Sequence, residues 1–334
     1  MKKKYNRRSF AKSASLFGIG MALPNVSGVI GGKGPIKKLV GIVGMDTSHS
    51  PALVRAFNSS ENYRVTTAFT TVSKDFPPSA NRVERFTKEI VDMGVEVVRT
   101  LNELLDKVDY VLLCTVDPRL HLKQAKEIFR SGKRVFIDKP MATSLKEVIK
   151  ISKISEKYGG TFFTSSSLRF MGSALEIRNG QNGKVLGADI FAPISYQSIL
   201  PELYWYGIHG LELLYTVMKP GCIKVRRMSG KNFDFIIGVW ADDRIGSYRG
   251  FKNTRISFGG RVFTDEGLVN MDDFEGLEPL HHAILRYFDT GEVPVGSHET
   301  IELFAFMEAA HVSVGRNGDW VFIDEIMDKA TKSQ

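Results

Sequence analysis

Through the first half of the chain, short apolar runs rich in β-branched residues alternate with stretches in which apolar positions recur at helical spacing. Residues 37–43 form such a run, and Pro51, Leu53, Val54, Ala56 and Phe57 behind it keep a helical period, which predicts strand, turn and helix. The rhythm continues with a strand over 64–69, a Pro77-Pro78 loop over 74–81, a helix over 83–93, a short strand over 95–99 and a helix over 101–107. A buried strand over 110–115, a helix over 119–130 and a strand over 134–137 follow. A helix then opens at Ser144 with capping-box spacing to Glu147, and a last strand covers 161–164. Regular alternation of this kind predicts a doubly wound parallel sheet. Beyond Arg169 the runs lengthen and the turns multiply. Strands over 189–196, 224–228, 233–240, 248–258 and 261–264, with helices over 206–218, 280–287 and 300–314, predict an α+β unit on a mostly antiparallel open sheet. The whole chain therefore reads as α/β, with a unit over 36–168 and a second over 169–334.

Residues 1–30 stand apart from both. Arg7-Arg8-Ser9-Phe10 precedes an apolar run over 14–23, and no acidic residue occurs among them. The run is about half the roughly 20 residues a membrane helix needs, so export is expected rather than stable membrane insertion. The paired arginines resemble a twin-arginine signal, which predicts a periplasmic destination reached already folded. Six of the formal +8 charges lie in this leader, leaving +2 for the rest, and a nucleic-acid partner is excluded on that ground. Cys114 and Cys222 are read as two buried thiols, not a disulfide framework.

Four segments carry a resemblance. Residues 40–49 hold the place of a glycine loop. Asp117-Pro118-Arg119-Leu120-His121 leads through Gly132-Lys133 to Asp138-Lys139-Pro140. Gly207-Ile208-His209 opens a helix in the second half, and Glu308-Ala309-Ala310 with Ser313 sits near the end. In this order and spacing the chain resembles the Gfo/Idh/MocA oxidoreductases, with Asp138 standing for the usual Glu of their Glu-Lys-Pro. The resemblance implies a Rossmann-type first domain binding NAD(P), with NAD preferred. It also implies cofactor contacts from Gly44, Asp46, Thr47, Ser48, Thr115, Pro118, His121, Asp138 and Lys139. Lys139 and His209 become the catalytic pair: His209 takes a substrate hydroxyl proton, and Lys139 contacts the nicotinamide ribose and a substrate hydroxyl and assists proton transfer. Many sugar dehydrogenases of the family carry an Asp four residues before that His, where this chain has Trp205.

Tyr204, Trp205 and Tyr206 beside His209 suit a sugar ring, whose C–H faces stack on aromatics, while Arg169 and Tyr196 sit at strand ends near the crevice and are candidate substrate contacts. The glycine loop departs from the fingerprint, keeping only Gly44 and placing Asp46 and His49 where the second and third glycines belong. Asp46 is compatible with phosphate if its side chain turns away to cap the following helix, with Thr47 and Ser48 donating hydroxyls to the anion. No metal site is expected. Three functions remain open: oxidation of a carbohydrate or polyol hydroxyl with a tightly held cofactor, redox-assisted cleavage of a glycoside, or cofactor-free carbohydrate binding. The apolar strand over 233–240 predicts a homo-oligomer, since such a face requires cover.

Overall fold

The computed structural model of the protein describes residues 37–332, and the leader assigned to residues 1–30 lies outside them. The first half runs β1 (Lys38–Val43), α1 (His49–Ser59), β2 (Tyr63–Phe69), α2 (Pro77–Ala80), α3 (Val83–Asp92), β3 (Glu96–Val97), α4 (Leu101–Lys107) and β4 (Tyr110–Leu113). A 3-10 turn at Pro118–Leu120 leads into α5 (His121–Arg130), then β5 (Arg134–Asp138), α6 (Leu145–Lys157) and β6 (Phe162–Ser165). These six strands pair in parallel in the order β3-β2-β1-β4-β5-β6. The order reverses direction at β1 and β4, which opens a crevice at their carboxyl ends, where ligands bind in such sheets. Ser144 caps α6 by accepting from the Glu147 amide, while the Glu147 carboxylate returns to the Thr143 amide and hydroxyl.

The second half runs α7 (Gly172–Arg178), β7 (Val185–Pro193), α8 (Glu202–Trp205), α9 (Gly207–Met218), β8 (Cys222–Ser229), β9 (Phe233–Trp240), β10 (Ile245–Phe251), β11 (Gly259–Thr264) and β12 (Gly267–Met271). It ends with α10 (Glu278–Thr290), α11 (Ser297–Gly315), β13 (Val321–Phe322) and α12 (Ile323–Lys332). The sheet order is β12-β11-β7-β10-β9-β8-β13, antiparallel except for the β7–β10 pair. Helix α9 lies directly on it: a Cβ at Gly210 would come within 2.2 Å of the Tyr248 ring, so only glycine lets the helix approach. Cys114 and Cys222 are both buried and free.

Several expected boundaries move. The loop over 74–81 contains the short helix α2. The strand expected over 248–258 leaves the sheet at Phe251, and Asn253 follows it with a left-handed φ of 54°. Helix α10, although late in sequence, packs against the first sheet, where Phe288 stacks on Tyr110 with ring centroids 4.8 Å apart and Tyr287 meets Phe163 edge-on. Strand β9 buries its side chains in strict alternation, with Asp234, Ile236 and Trp240 inward. Its outward set is apolar as well, and the register places Phe235 and Ile237 on one open face with Met228, Ile245, Phe263 and Leu268. A face of that composition exposed to water is expected to associate. Light scattering at micromolar concentration should therefore give at least a dimer, and Ile237→Lys should shift it toward monomer. A wild-type monomer at that concentration would refute the expectation.

Candidate active site

The carboxyl ends of β1, β4, β5 and β6 face the start of α9 across a cavity of about 270 Å³. Thr47, Ser48 and His49 reach it from the β1–α1 loop, Arg82 from the end of the α2 segment, Val116 from behind β4, and Lys139 from behind β5. Trp205, Tyr206 and His209 close the far side, with Phe258, Phe274 and Leu277 beside them. The aromatic wall is continuous: Tyr206 stacks on Phe258, His209 meets both rings, and Phe274 packs edge-on to Phe258. Such a wall with a few convergent polar groups suits a ring carrying hydroxyls.

Two histidines approach from opposite halves of the chain. His49 donates its Nδ1–H to Asp138 Oδ2 at 2.7 Å, and Asp138 also accepts from the Lys139 amide. Burial alone would raise the Asp138 carboxyl. The charges of His49 and Lys139 outweigh it and hold the group at about 2, so it is ionised throughout the neutral range. His209 shares a 2.6 Å hydrogen bond between Nδ1 and Ser166 Oγ. Burial, followed by the nearby charges of Lys139 and His49, pushes His209 well below the ordinary imidazole value. A neutral imidazole fixed at one nitrogen can accept a proton at the other. Ser166, directly behind β6, thus fixes the His209 ring at Nδ1.

The sequence-derived site residues divide. Thr47, Ser48, Lys139, Trp205, Tyr206 and His209 converge on the cavity, while Asp138 stands directly behind it. Gly44 makes the tight turn, with φ of +94° and a hypothetical Cβ only 2.3 Å from the Thr115 amide. Several of the other side chains do not line the cavity. Arg169 is buried between Glu212, at 2.6 Å, and Glu299, where it ties α9 to α11. Tyr196 bonds to Asp234 beside the buried Arg227. The Tyr204 ring packs on Phe304, and its hydroxyl reaches Glu308. His121 is buried and spans the carbonyls of Thr115 and Met141, so it acts only through the backbone it holds. Pro118 is likewise buried, opening the 3-10 turn.

Asp46 corrects the expectation of a helix cap. Helix α1 has no side-chain cap at Ser48, and the fully buried Asp46 carboxylate instead accepts from the Val116 amide at 3.0 Å and from Ser79 Oγ at 2.6 Å. It therefore latches the segment carrying α2 across the ends of β1 and β4. Phe76 of that segment meets Trp205 edge-on, and Arg119 fastens it through Asp75. Burial raises the Asp46 carboxyl from its ordinary value, against the Ser79 and Val116 hydrogen bonds. Sequence reading missed Arg82, Ser166, Phe258 and Phe274, none of which belongs to a motif. Among the described residues no cluster of His, Cys, Asp and Glu could hold a metal, and no helix is long and apolar enough to cross a membrane.

The residues present fit a nicotinamide dinucleotide. The Gly44 turn is intact, and Thr115 Oγ1 is buried at the end of β4 without a partner among the described residues. The N-terminal turn of α1 presents Thr47 and Ser48 to the cavity, as an anion requires. Comparison with known proteins agrees. Residues 37–166 match the model of the oxidoreductase family with an NAD-binding Rossmann fold. No curated protein matches the chain. Among solved structures, scyllo-inositol dehydrogenase from Lactobacillus casei, with bound NAD(H) and scyllo-inositol, is similar at 12% identity and a TM-score of 0.71, over 86% of this chain and 99% of that one. An oxidoreductase from Thermotoga maritima is similar at 17% identity and a TM-score of 0.69, over 87% and 99%. An NAD-binding protein from Listeria innocua reaches 14% and 0.64, over 86% and 97%. At these identities the likeness is one of fold. The domain over residues 37–166, which holds the Gly44 turn and Lys139 behind β5, is thus a match to the NAD-binding Rossmann domain of the Gfo/Idh/MocA oxidoreductases.

Proposed function

We propose that the protein is an exported, NAD-dependent oxidoreductase acting on a hydroxyl of a carbohydrate or polyol. The observation that carries this reading is the convergence of Lys139 and His209 on one cavity with an aromatic wall and no carboxylate in its lining among the described residues. NAD, when bound, supplies a hydride acceptor. Thr47, Ser48, Thr115 and Lys139 would hold it. The protein's own part is proton management: Ser166 orients His209, which takes the hydroxyl proton, and Lys139 stabilises the oxygen as it loses that proton. The NAD(H) and scyllo-inositol bound to the inositol dehydrogenase neighbour support the same substrate class. Export is read from the leader over residues 1–30, and it favours a cofactor loaded before translocation and retained.

A second reading, redox-assisted cleavage of a glycoside, is favoured by the His49–Asp138 pair, because it adds an acid/base group on the wall opposite His209. Net NADH release separates oxidation from cleavage. Denaturing protein purified from an exporting host should release nicotinamide nucleotide in about stoichiometric amount, read by chromatography of the supernatant. If none is released, and none binds after refolding with excess NAD, the cofactor-free carbohydrate-binding reading replaces both.

A further inference from the structure

Arg82 lines the cavity, and its charge has no use in the proton chemistry. Its Nε donates to the Pro78 carbonyl at 2.5 Å, which fixes the guanidinium at the end of the latched segment. Its Nη2 is buried and has no hydrogen-bond partner among the described residues. A guanidinium is a permanent cation with five donors, and a buried donor left unpaired is costly, so such an arrangement calls for an acceptor. The protein does not supply one. Asp46 is near enough for its charge to be felt, but its two oxygens are committed to Ser79 and Val116. The cavity lining holds His49, Arg82, Lys139 and His209 with no carboxylate among the described residues, which leaves the acceptor to a ligand. In the same cavity, Thr47 and Ser48 offer hydroxyls just before the 11-residue helix α1.

We propose that Arg82, Thr47 and Ser48 form an oxyanion clamp that takes over the task of the glycines replaced by Asp46 and His49. The clamp holds a phosphate or carboxylate group of the bound ligand. This rests on the reading of the crevice as a ligand site but not on turnover. Two sources offer that chemistry, the pyrophosphate of the dinucleotide and the acidic group of a sugar acid. The glycine fingerprint binds phosphate through bare backbone. Here a charged side chain does so, delivered by a segment that Asp46 keeps in place.

The test is calorimetric titration of the full protein and its Arg82→Gln and Arg82→Lys variants with NAD, ADP-ribose, D-glucuronate and D-glucose. Loss of one charge-assisted hydrogen-bonding group is expected to weaken an anionic probe by roughly tenfold or more in Arg82→Gln, with glucose unchanged and part of the loss recovered in Arg82→Lys. Loss confined to NAD and ADP-ribose identifies the pyrophosphate as the anion. Loss confined to glucuronate identifies a sugar acid. The proposal is overturned if no anionic probe binds the wild type, if none weakens in Arg82→Gln, or if glucose weakens equally, which would mark a structural role. Should Arg82→Gln prove unfolded by circular dichroism, the wild type and Arg82→Lys decide the matter: an anion affinity insensitive to both the lysine and added salt overturns the clamp. Because equilibrium binding is measured, a protein without dehydrogenase turnover still answers the question.

Discussion

Lys139→Ala and His209→Ala are each expected to lower turnover by about 10²-fold or more while leaving the fold intact, the range typical of a lost acid/base group. Both side chains line an open cavity, so truncation creates no sealed void. The pH dependence adds a signature that a structural role would not produce. His209 must be neutral to accept the hydroxyl proton. Burial and the charges of Lys139 and His49 hold its pKa well below 6.5, so the acid limb of kcat/KM should fall below pH 6.5. Ser166→Ala should lower kcat by a smaller factor than His209→Ala, since the hydroxyl only orients the ring. Steady-state kinetics across pH 4.5–9 on the three variants reads all of this. Unchanged turnover in both alanine variants at Lys139 and His209 would remove the proposed site.

The fold was legible where periodicity is local. The strand over 233–240 and the helix over 101–107 match β9 and α4 in both bounds, because each is a short run whose neighbours in sequence are also its punctuation. Helix α12 and strand β12 escaped notice: Ile323–Lys332 buries only Ile323, Ile326 and Ala330, and Gly267–Met271 is an exposed edge with one buried residue. Weak burial leaves a weak pattern. The site was legible only along motifs. Lys139 and His209 came from the family resemblance and both line the cavity, whereas Arg169, Tyr196 and Tyr204 were chosen by residue type near a strand end or beside His209 and instead serve buried ion pairs and packing. No sequence distance could have revealed that Glu212 and Glu299 claim Arg169. For the same reason, nothing local marked Arg82 as a wall of the cavity.

Asp46 has the larger structural consequence. As a cap, it would be replaceable by glycine at a cost of about 1 kcal/mol or less. As a latch, it satisfies the Val116 amide and the fully buried Ser79 hydroxyl, so Asp46→Ala strands two polar groups. With roughly 1–3 kcal/mol for each group left unsatisfied, and partial rescue of the Val116 amide by water, the variant should lose about 2–4 kcal/mol in urea unfolding at pH 7. Asp46→Asn keeps the shape and one acceptor and should lose about 1 kcal/mol or less. The sign of the pH dependence follows from the raised carboxyl. The folded group binds its proton more tightly than the unfolded one, so its ionisation costs stability, a cost absent below pH 3.8 and complete once the pH passes the raised folded value. The asparagine variant lacks that cost, so its stability relative to wild type should improve as pH rises from about 3.5 toward neutrality. Equal losses in Asp46→Ala and Asp46→Asn, each under about 1 kcal/mol, would mean that the segment carrying α2 is not held by this carboxylate.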